Sequence, residues 1–420
     1  MKDNKILCAE ASSYVVVMPE AAKNSELRAA KRIAAMLGIS QDAVITDAAD
    51  AAELEVLVGA TKRTQTVTER FEFAISAVGK RIEIVAGSCF AYEYALDFCR
   101  EKLCELISGE VEGELYREDV TPKIRATNDT ALLGKVGTFR FLYHNVWGWA
   151  NAPESQGWEP GNNSAAEQRS RIMAEAYLEL APDVICLQEY TSFMMRSCED
   201  NAISLLEQNG YAEVKVPAVD KIDTATPIIY RKETMTLLES GVHKFTFGGG
   251  HDKFITWAVF ESVRPKRKFA IMSAHLAYEG GEFGDTFRLS QVPILINYAE
   301  QLRDKHRCRV FFGGDLNCPG FSAPYRLILT MGAVDTWPRS QISEDCETIL
   351  DLYPSFDKET GLVINENTTN RTRTYMGLGI DHIFYLPRST SPIFKRFDII
   401  NDKYICTASD HCPVVLDFDF

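Results

Sequence analysis

Six apolar runs in the C-terminal two thirds of this chain carry polar side chains at one end, and this restricts the fold more than any other feature. Thr138-Phe139-Arg140-Phe141-Leu142-Tyr143 arrives at His144-Asn145, and Asp183-Val184-Ile185-Cys186-Leu187-Gln188 arrives at Glu189. Lys268-Phe269-Ala270-Ile271-Met272-Ser273-Ala274 leads into His275, and Arg309-Val310-Phe311-Phe312-Gly313-Gly314 into Asp315-Leu316-Asn317. Asp381-His382 opens Ile383-Phe384-Tyr385-Leu386, and Ser409-Asp410-His411 opens Cys412-Pro413-Val414-Val415-Leu416. Short apolar runs of this kind read as buried strands. Beside an antiparallel neighbour, the end of one strand adjoins the start of the next. All six polar groups can therefore collect along one rim of a sheet. Pro227–Arg231 and Phe254–Phe260 add strands, and helical spacing marks helices over 169–180 and 287–302. The alternation is that of an α/β domain.

The chain ahead of residue 138 is organised differently. Tyr14–Met18 and Glu55–Gly59 are strand-like, and Phe71–Ile75 and Arg81–Val85 alternate around Val78-Gly79-Lys80, a hairpin signature. Leu27, Ala30, Ile33, Ala34 and Leu37 recur at helical spacing behind Ser25 as N-cap, until Gly38 stops the helix. A second helix covers about 90–107. This unit carries no nucleophile pair, ligand cluster or phosphate loop, and reads as a packing or positioning domain. Its order of elements resembles the small α/β domain often placed ahead of the catalytic domain in carbohydrate-active hydrolases. Gly109, Gly113, Pro122 and Gly134 then punctuate a polar stretch. The expected organisation is a small α/β domain over 1–108, a linker over 109–137 and a catalytic domain over 138–420.

A chain of 420 residues can bury a core in each unit. Its net charge of −14 argues against tight, sequence-independent binding to long nucleic acid. A small phosphorylated substrate stays compatible, because a bound metal supplies positive charge locally. Eleven cysteines without a C-x-x-C pair point to reduced thiols and a cytoplasmic location rather than a disulfide framework or a zinc site. No apolar run of signal length follows the N-terminal lysines, so secretion would require a trimmed signal. No run approaches the roughly 18 apolar residues that span a bilayer, so no membrane insertion is expected.

Two carboxylates with an asparagine suit a hard cation such as Mg²⁺, which takes oxygen ligands. Histidines near carboxylates suit proton transfer and stabilisation of charge on an oxyanion. Singly, each residue has an ordinary explanation. Glu189 could be a solvated loop acid, His275 a capping or packing histidine, and Asp315-Leu316-Asn317 after two glycines a tight turn. His144 and His382 read as structural neighbours of the site. His243, His251 and His306 read as surface residues in loops or at a helix end. The joint occurrence in one chain order outweighs the separate explanations.

In that order, His144-Asn145-Val146, Asp183–Glu189, Ala274-His275-Leu276, Gly313–Asn317, Ile380–Phe384 and Ser409–Val414 resemble the endonuclease/exonuclease/phosphatase superfamily. That group includes deoxyribonuclease I, apurinic endonucleases, inositol-polyphosphate 5-phosphatases and bacterial sphingomyelinases. The resemblance covers residues 138–420. It implies a four-layer α/β/β/α sandwich, deoxyribonuclease I-like, and a metal-dependent phosphoester hydrolase. It implies Glu189 as the main Mg²⁺ ligand, with Mn²⁺ as a substitute, Asn145 beside it, and Asp410 touching that metal or a second one. Asp315 would orient or deprotonate the attacking water. His275 and Asn317 would hold the phosphoryl oxygens, and His411, oriented by Asp381, would act as general base or as a cationic clamp. Ala274 replaces the usual threonine, and Ala277 replaces an acid often found there, which bears on substrate contacts. Arg288 matches a position where bacterial members often carry arginine, either as a substrate contact or as a solvated helix residue.

The expected activity is hydrolysis of a phosphodiester or phosphomonoester. The alternative is a catalytically silent phosphate- or sugar-binding module on the same fold, which the filled core positions disfavour. Candidate substrates are nucleic acid, a phospholipid headgroup, or a sugar or inositol phosphate. Acidity and the lack of a lysine-rich stripe count against a non-specific DNase, and no hairpin of exposed aromatics supports a sphingomyelinase. Trp147-Gly148-Trp149 and Trp158 either stack a base, sugar or headgroup or pack the sandwich.

Overall fold

The alternating run before Gly79 and the one after it form the hairpin expected of them. In the computed structural model Val78 faces Arg81 across Gly79, whose φ of +60° is one that glycine adopts without strain. The structure describes residues 13–22, 24–69, 72–87, 89–107, 113–119, 134–148, 164–191, 195, 196, 198–219, 224–245, 253–320, 322–343, 348, 355, 356, 363, 364, 379–388, 391–400 and 405–420. Trp149, Trp158 and His251 lie outside them.

The chain divides into two compact units, Met1–Lys123 and Ile124–Phe420. In the first, β1 (Val15–Met18), β2 (Ile45–Thr46), β3 (Glu55–Val58), β4 (Glu72–Val78), β5 (Arg81–Ala86) and β6 (Gly113–Asp119) form a sheet of order β2-β1-β3-β5-β4-β6. Helices α1 (Asn24–Met36) and α2 (Cys89–Ile107) belong to the same unit. β6 corrects the expected boundary. Residues 113–119 pair antiparallel with β4 and so complete the small sheet instead of starting a linker. Their alternation is polar and mostly exposed, which hides an edge strand from a search for apolar runs. Cys104 is disulfide-bonded, which corrects the expectation of reduced thiols.

The second unit contains two sheets packed face to face. The first holds β7 (Phe139–Asn145), β8 (Val184–Gln188), β9 (Tyr211–Glu213) and β10 (Ile228–Arg231). The second holds β11 (Met235–Lys244), β12 (Phe254–Ser262), β13 (Lys268–Ala274), β14 (Arg309–Asp315) and β15 (Val334–Asp335). Later strands are β16 (Ile342–Ser343), the pair β17 (Ser355–Phe356) and β18 (Val363–Ile364), β19 (Asp381–Leu386), β20 (Ile393–Ile399) and β21 (Val414–Asp419). The orders are β16-β20-β21-β7-β8-β10-β9 and β11-β12-β13-β14-β19-β15. Phe139, Phe141 and Phe418 of one sheet meet Phe269 and Phe311 of the other, with Phe141 and Phe311 ring centroids 5.1 Å apart. On the outer face of the second sheet, Val292, Leu295, Ile296 and Ala299 of the helix Gly281–His306 bury Met272, Val310 and Phe312. The helix Ser164–Leu180 covers the other sheet through Met173 and Tyr177. This is the α/β/β/α sandwich.

Strand pairing brings the polar ends to one rim by a mixture of parallel and antiparallel neighbours. β7 and β8 run parallel, with Asn145 opposite Gln188, and β13 and β14 run parallel, with Ser273 opposite Gly313. β19 runs antiparallel to β14, with Asp381 opposite Asp315, and β21 antiparallel to β7. Parallel neighbours align their ends, and antiparallel ones align an end with a start. Gly313 and Gly314 lie inside β14, not in a turn. A Cβ on Gly313 would stand 1.9 Å from the His382 carbonyl oxygen, and one on Gly314 would stand 2.4 Å from that of Ala274. The glycines let this strand approach its neighbours closely enough for Asp315 to reach the rim.

Candidate active site

At the rim, Asn145 is the first junction. Its Nδ2 donates to Asp315 Oδ2 at 2.9 Å and to Glu189 Oε1 at 3.2 Å, while its Oδ1 accepts from the Trp147 backbone at 2.9 Å. Glu189 follows β8 with φ +58°, and Asn317 follows β14 with φ +50°. Left-handed backbone disfavours residues with a Cβ, asparagine least, so strain at these two positions coincides with the polar cluster. Gly148 fits beneath Glu189, since a Cβ there would stand 1.8 Å from the Glu189 carbonyl oxygen.

His275 Nε2 lies 3.5 Å from Asp315 Oδ2 and 3.8 Å from Glu189 Oε1. His411 holds Asp381 through Nδ1–Oδ2 at 2.8 Å, while its Nε2 faces Asp315 at 3.9 Å and Asp410 at 4.0 Å. Asn317 donates its backbone N–H to Asp315 Oδ1 at 3.0 Å, and its side chain reaches the Leu276 carbonyl at 3.3 Å. The two strand ends carrying Asn145 and His411 are tied together. Ser409 Oγ donates to the Asn145 carbonyl at 2.6 Å, and the buried Arg169 donates to the carbonyls of Ala408, Val146 and Trp147.

Burial raises Asp315 to about 6, with Asp381 adding to the rise and His411 opposing it. Burial likewise raises Asp410 to about 6 and Glu189 above the usual carboxylate range. At His411 burial works against the charge, but Asp381, Asp410 and Asp315 outweigh it and hold its pKa well above the ordinary value. His144 and His382 sit behind the rim. His144 is buried between the Tyr177 hydroxyl and the His411 carbonyl, and burial lowers it to about 3. His382 Nε2 lies 2.8 Å from the Cys318 carbonyl.

The donor set fits a hard divalent cation. Glu189 Oε2 is buried without a hydrogen-bond partner among the described residues, and an oxygen-preferring cation would satisfy such an atom. Glu189, His275 and Asp315 offer ligand atoms within 4.8 Å of one another, as do Asp315, Asp381 and His411.

The rim therefore gathers Asn145, Glu189, His275, Asp315, Asn317, Asp381, Asp410 and His411. Arg288 is not among them. It is 4% exposed, so it is not a solvated helix residue, and its guanidinium binds the carbonyls of Ala277 and Glu279 and the Asp285 carboxylate. His243 lies in β11 rather than in a loop, with Nδ1 3.0 Å from the Tyr298 hydroxyl. His306 ends its helix and faces Glu239 at 3.2 Å. Sequence reasoning missed Lys253. It is 1% exposed, with Nζ 2.8 Å from His275 Nε2, and burial lowers its pKa to about 8. The signal was available, because Lys253 immediately precedes β12, whose start lies beside the end of β13.

The model of the endonuclease/exonuclease/phosphatase family matches residues 142–411, more than half of the chain. The chain belongs to this family, one of phosphoester hydrolases. Among solved structures, a mannosyl-6-phosphatase of Bacteroides thetaiotaomicron aligns with a TM-score of 0.52 at 17% identity, covering 67% of this chain and 100% of that one. A family member from the same organism aligns at 0.50 and 16%, covering 67% and 97%, and one from Bacteroides vulgatus at 0.50 and 17%, covering 67% and 98%. At these identities the likeness establishes the fold alone. No match was found among curated proteins. Among the described residues, no helix is long and apolar enough to cross a membrane.

Proposed function

We propose that this chain is a divalent-metal-dependent phosphatase acting on the phosphate ester of a small polar molecule, a sugar or polyol. One observation carries the reading: two three-residue clusters share Asp315, so oxygen ligands and a His–Asp pair face one small volume. Glu189, with Asn145 beside it and Asp410 across the rim, would hold Mg²⁺ or Mn²⁺. When bound, the cation supplies positive charge to a phosphoryl oxygen and acidifies a water.

The chain's own groups divide the remaining work. Asp315, held by Asn145, orients the attacking water and takes its proton. His411 donates through Nδ1 to Asp381 and turns Nε2 toward the site. Because carboxylates flank it, the imidazolium form is favoured, and it serves as a cationic clamp on the developing phosphoryl charge. His275 and Asn317 hold the other phosphoryl oxygens. The choice of a small ester over a polyanion is supported by the net charge of −14 and by the name of the mannosyl-6-phosphatase among the fold neighbours.

A panel of mannose 6-phosphate, inositol phosphates, sphingomyelin, a generic chromogenic phosphodiester and plasmid DNA, each with Mg²⁺ and with EDTA, tests the proposal. Turnover of sugar or inositol phosphates that EDTA abolishes and Mg²⁺ restores is expected. Activity indifferent to EDTA contradicts the metal role, and preferential cleavage of plasmid contradicts the substrate class.

A further inference from the structure

The loop after His275 is held with more contacts than a connection needs, and it displays one aromatic ring. Leu276 N–H donates to the Asp315 carbonyl at 3.1 Å, and Ala277 N–H to Gln291 Oε1 at 2.9 Å. Arg288 Nη1 then grips the carbonyls on both sides of residue 278, Ala277 at 2.7 Å and Glu279 at 2.8 Å. Asp285 braces Arg288 from the other side, through Nε at 3.1 Å and Nη2 at 2.8 Å. Gly284 lets the loop lie against the helix start, since a Cβ there would stand 1.6 Å from the Glu279 carbonyl oxygen. The residue so fixed, Tyr278, is 49% exposed. The Lys253 ammonium stands 5.5 Å from its ring centroid and 2.8 Å from His275 Nε2. A line from the candidate phosphate site thus passes through a buried cation and out along an aromatic ring.

We propose that Tyr278 and Lys253 form a leaving-group subsite that takes the pyranose or polyol ring of a phosphate monoester; this rests on the sugar-phosphatase reading above. The physical complement is direct. An aromatic face is the negative part of the ring quadrupole, and the C–H face of a sugar ring is apolar and weakly positive. A primary ammonium offers donors that a ring hydroxyl or the bridging ester oxygen can accept. The backbone on both sides of Tyr278 is already clamped, so less entropy is lost in ordering this loop on binding. Arg288 is then a positioning residue, acting on the substrate through the backbone around Tyr278. With Ala277 where an acid often stands, the carboxylate of this loop that acts on Lys253 is that of Glu279.

The test compares mannose 6-phosphate with glycerol 3-phosphate, which has no ring to stack. Tyr278→Ala is expected to lower the ratio of kcat/KM for the cyclic over the acyclic ester by about tenfold, the size of one aromatic contact. Tyr278→Phe should keep that ratio. Saturation-transfer NMR with mannose 6-phosphate in EDTA gives a readout independent of turnover. Transfer to the ring C–H protons is expected in the wild type and lost in Tyr278→Ala. An unchanged ratio in Tyr278→Ala, or equal loss on both esters, overturns the subsite, as does turnover without transfer to the ring protons. If neither ester is hydrolysed but Tyr278-dependent transfer is seen, the subsite stands and the phosphatase reading fails.

Discussion

Replacing Asp381 by Asn separates the charge of the His411–Asp381 pair from its geometry. The carboxylate accepts from Nδ1 at 2.8 Å, and both groups are buried. An amide oxygen in the same place can accept the same bond, so the ring need not turn. What is lost is the negative charge. A hydrogen bond to an ionised partner is worth roughly twice a neutral one, a difference of about 1–1.5 kcal/mol. That corresponds to a loss of about tenfold in kcat/KM on the best substrate from the panel. Asp381→Ala, which removes the tether as well, should lose about a hundredfold. The pH profile carries the mechanistic content. Asp381 holds the His411 pKa up, so removing its charge moves that pKa down. If His411 acts as the cation, the alkaline limb of kcat/KM shifts to lower pH in Asp381→Asn. An unmoved or upward-moved limb, with the fold intact by circular dichroism, would refute the clamp assignment. A loss in Asp381→Asn as large as in Asp381→Ala would show that the charge, not the tether, carries the whole effect.

Glu189→Gly should abolish divalent-cation binding by calorimetry while raising the Tm, since it relieves a left-handed backbone worth about 1–2 kcal/mol and removes a buried oxygen without a hydrogen-bond partner. The entropy of the added glycine offsets about 0.5–1 kcal/mol of this, and a Tm below that of the wild type would count against strain at Glu189. His144 predicts an acid-side loss of stability. Burial lowers it to about 3 in the folded state, whereas a free imidazole titrates near about 6.5. Between those values the unfolded chain binds the proton more readily, so the stability is complete above about pH 6.5 and falls as pH is lowered toward 3. At pH 5 the loss from this group is about 2 kcal/mol, and His144→Asn should flatten the urea-midpoint slope between pH 6.5 and 4.5. Equal slopes in the two proteins would remove His144 from the account.

Elements with a strong apolar pattern were legible in the sequence. Lys268–Ala274 forms its strand with the bounds read from its composition, and Asp381 opens its strand as expected. Elements with mixed pattern were not. The ten residues of β11 are half-exposed and polar enough to read as loop, and the helix Gly281–His306 begins well before 287, among glycines that normally break helices. Here Gly284 is required by the close approach of the Glu279 carbonyl, a contact from outside the helix that local propensity does not register. β6 escaped for the same reason as β11.

What the sequence alone determined was the inventory and its order along the chain. Strand ends are marked by a switch from apolar to polar residues, because a buried run must stop where its side chains meet water. The chemistry-bearing residues therefore announced themselves, and their common rim followed from strand direction. Tertiary structure decided which of them touch. The register of β14 against β19 sets Asp315 opposite Asp381, and the packing of two sheets sets His411 between Asp381 and Asp410. It also removed Arg288 from the rim and put Lys253 between His275 and Tyr278, through contacts between residues far apart in the chain that no local pattern encodes.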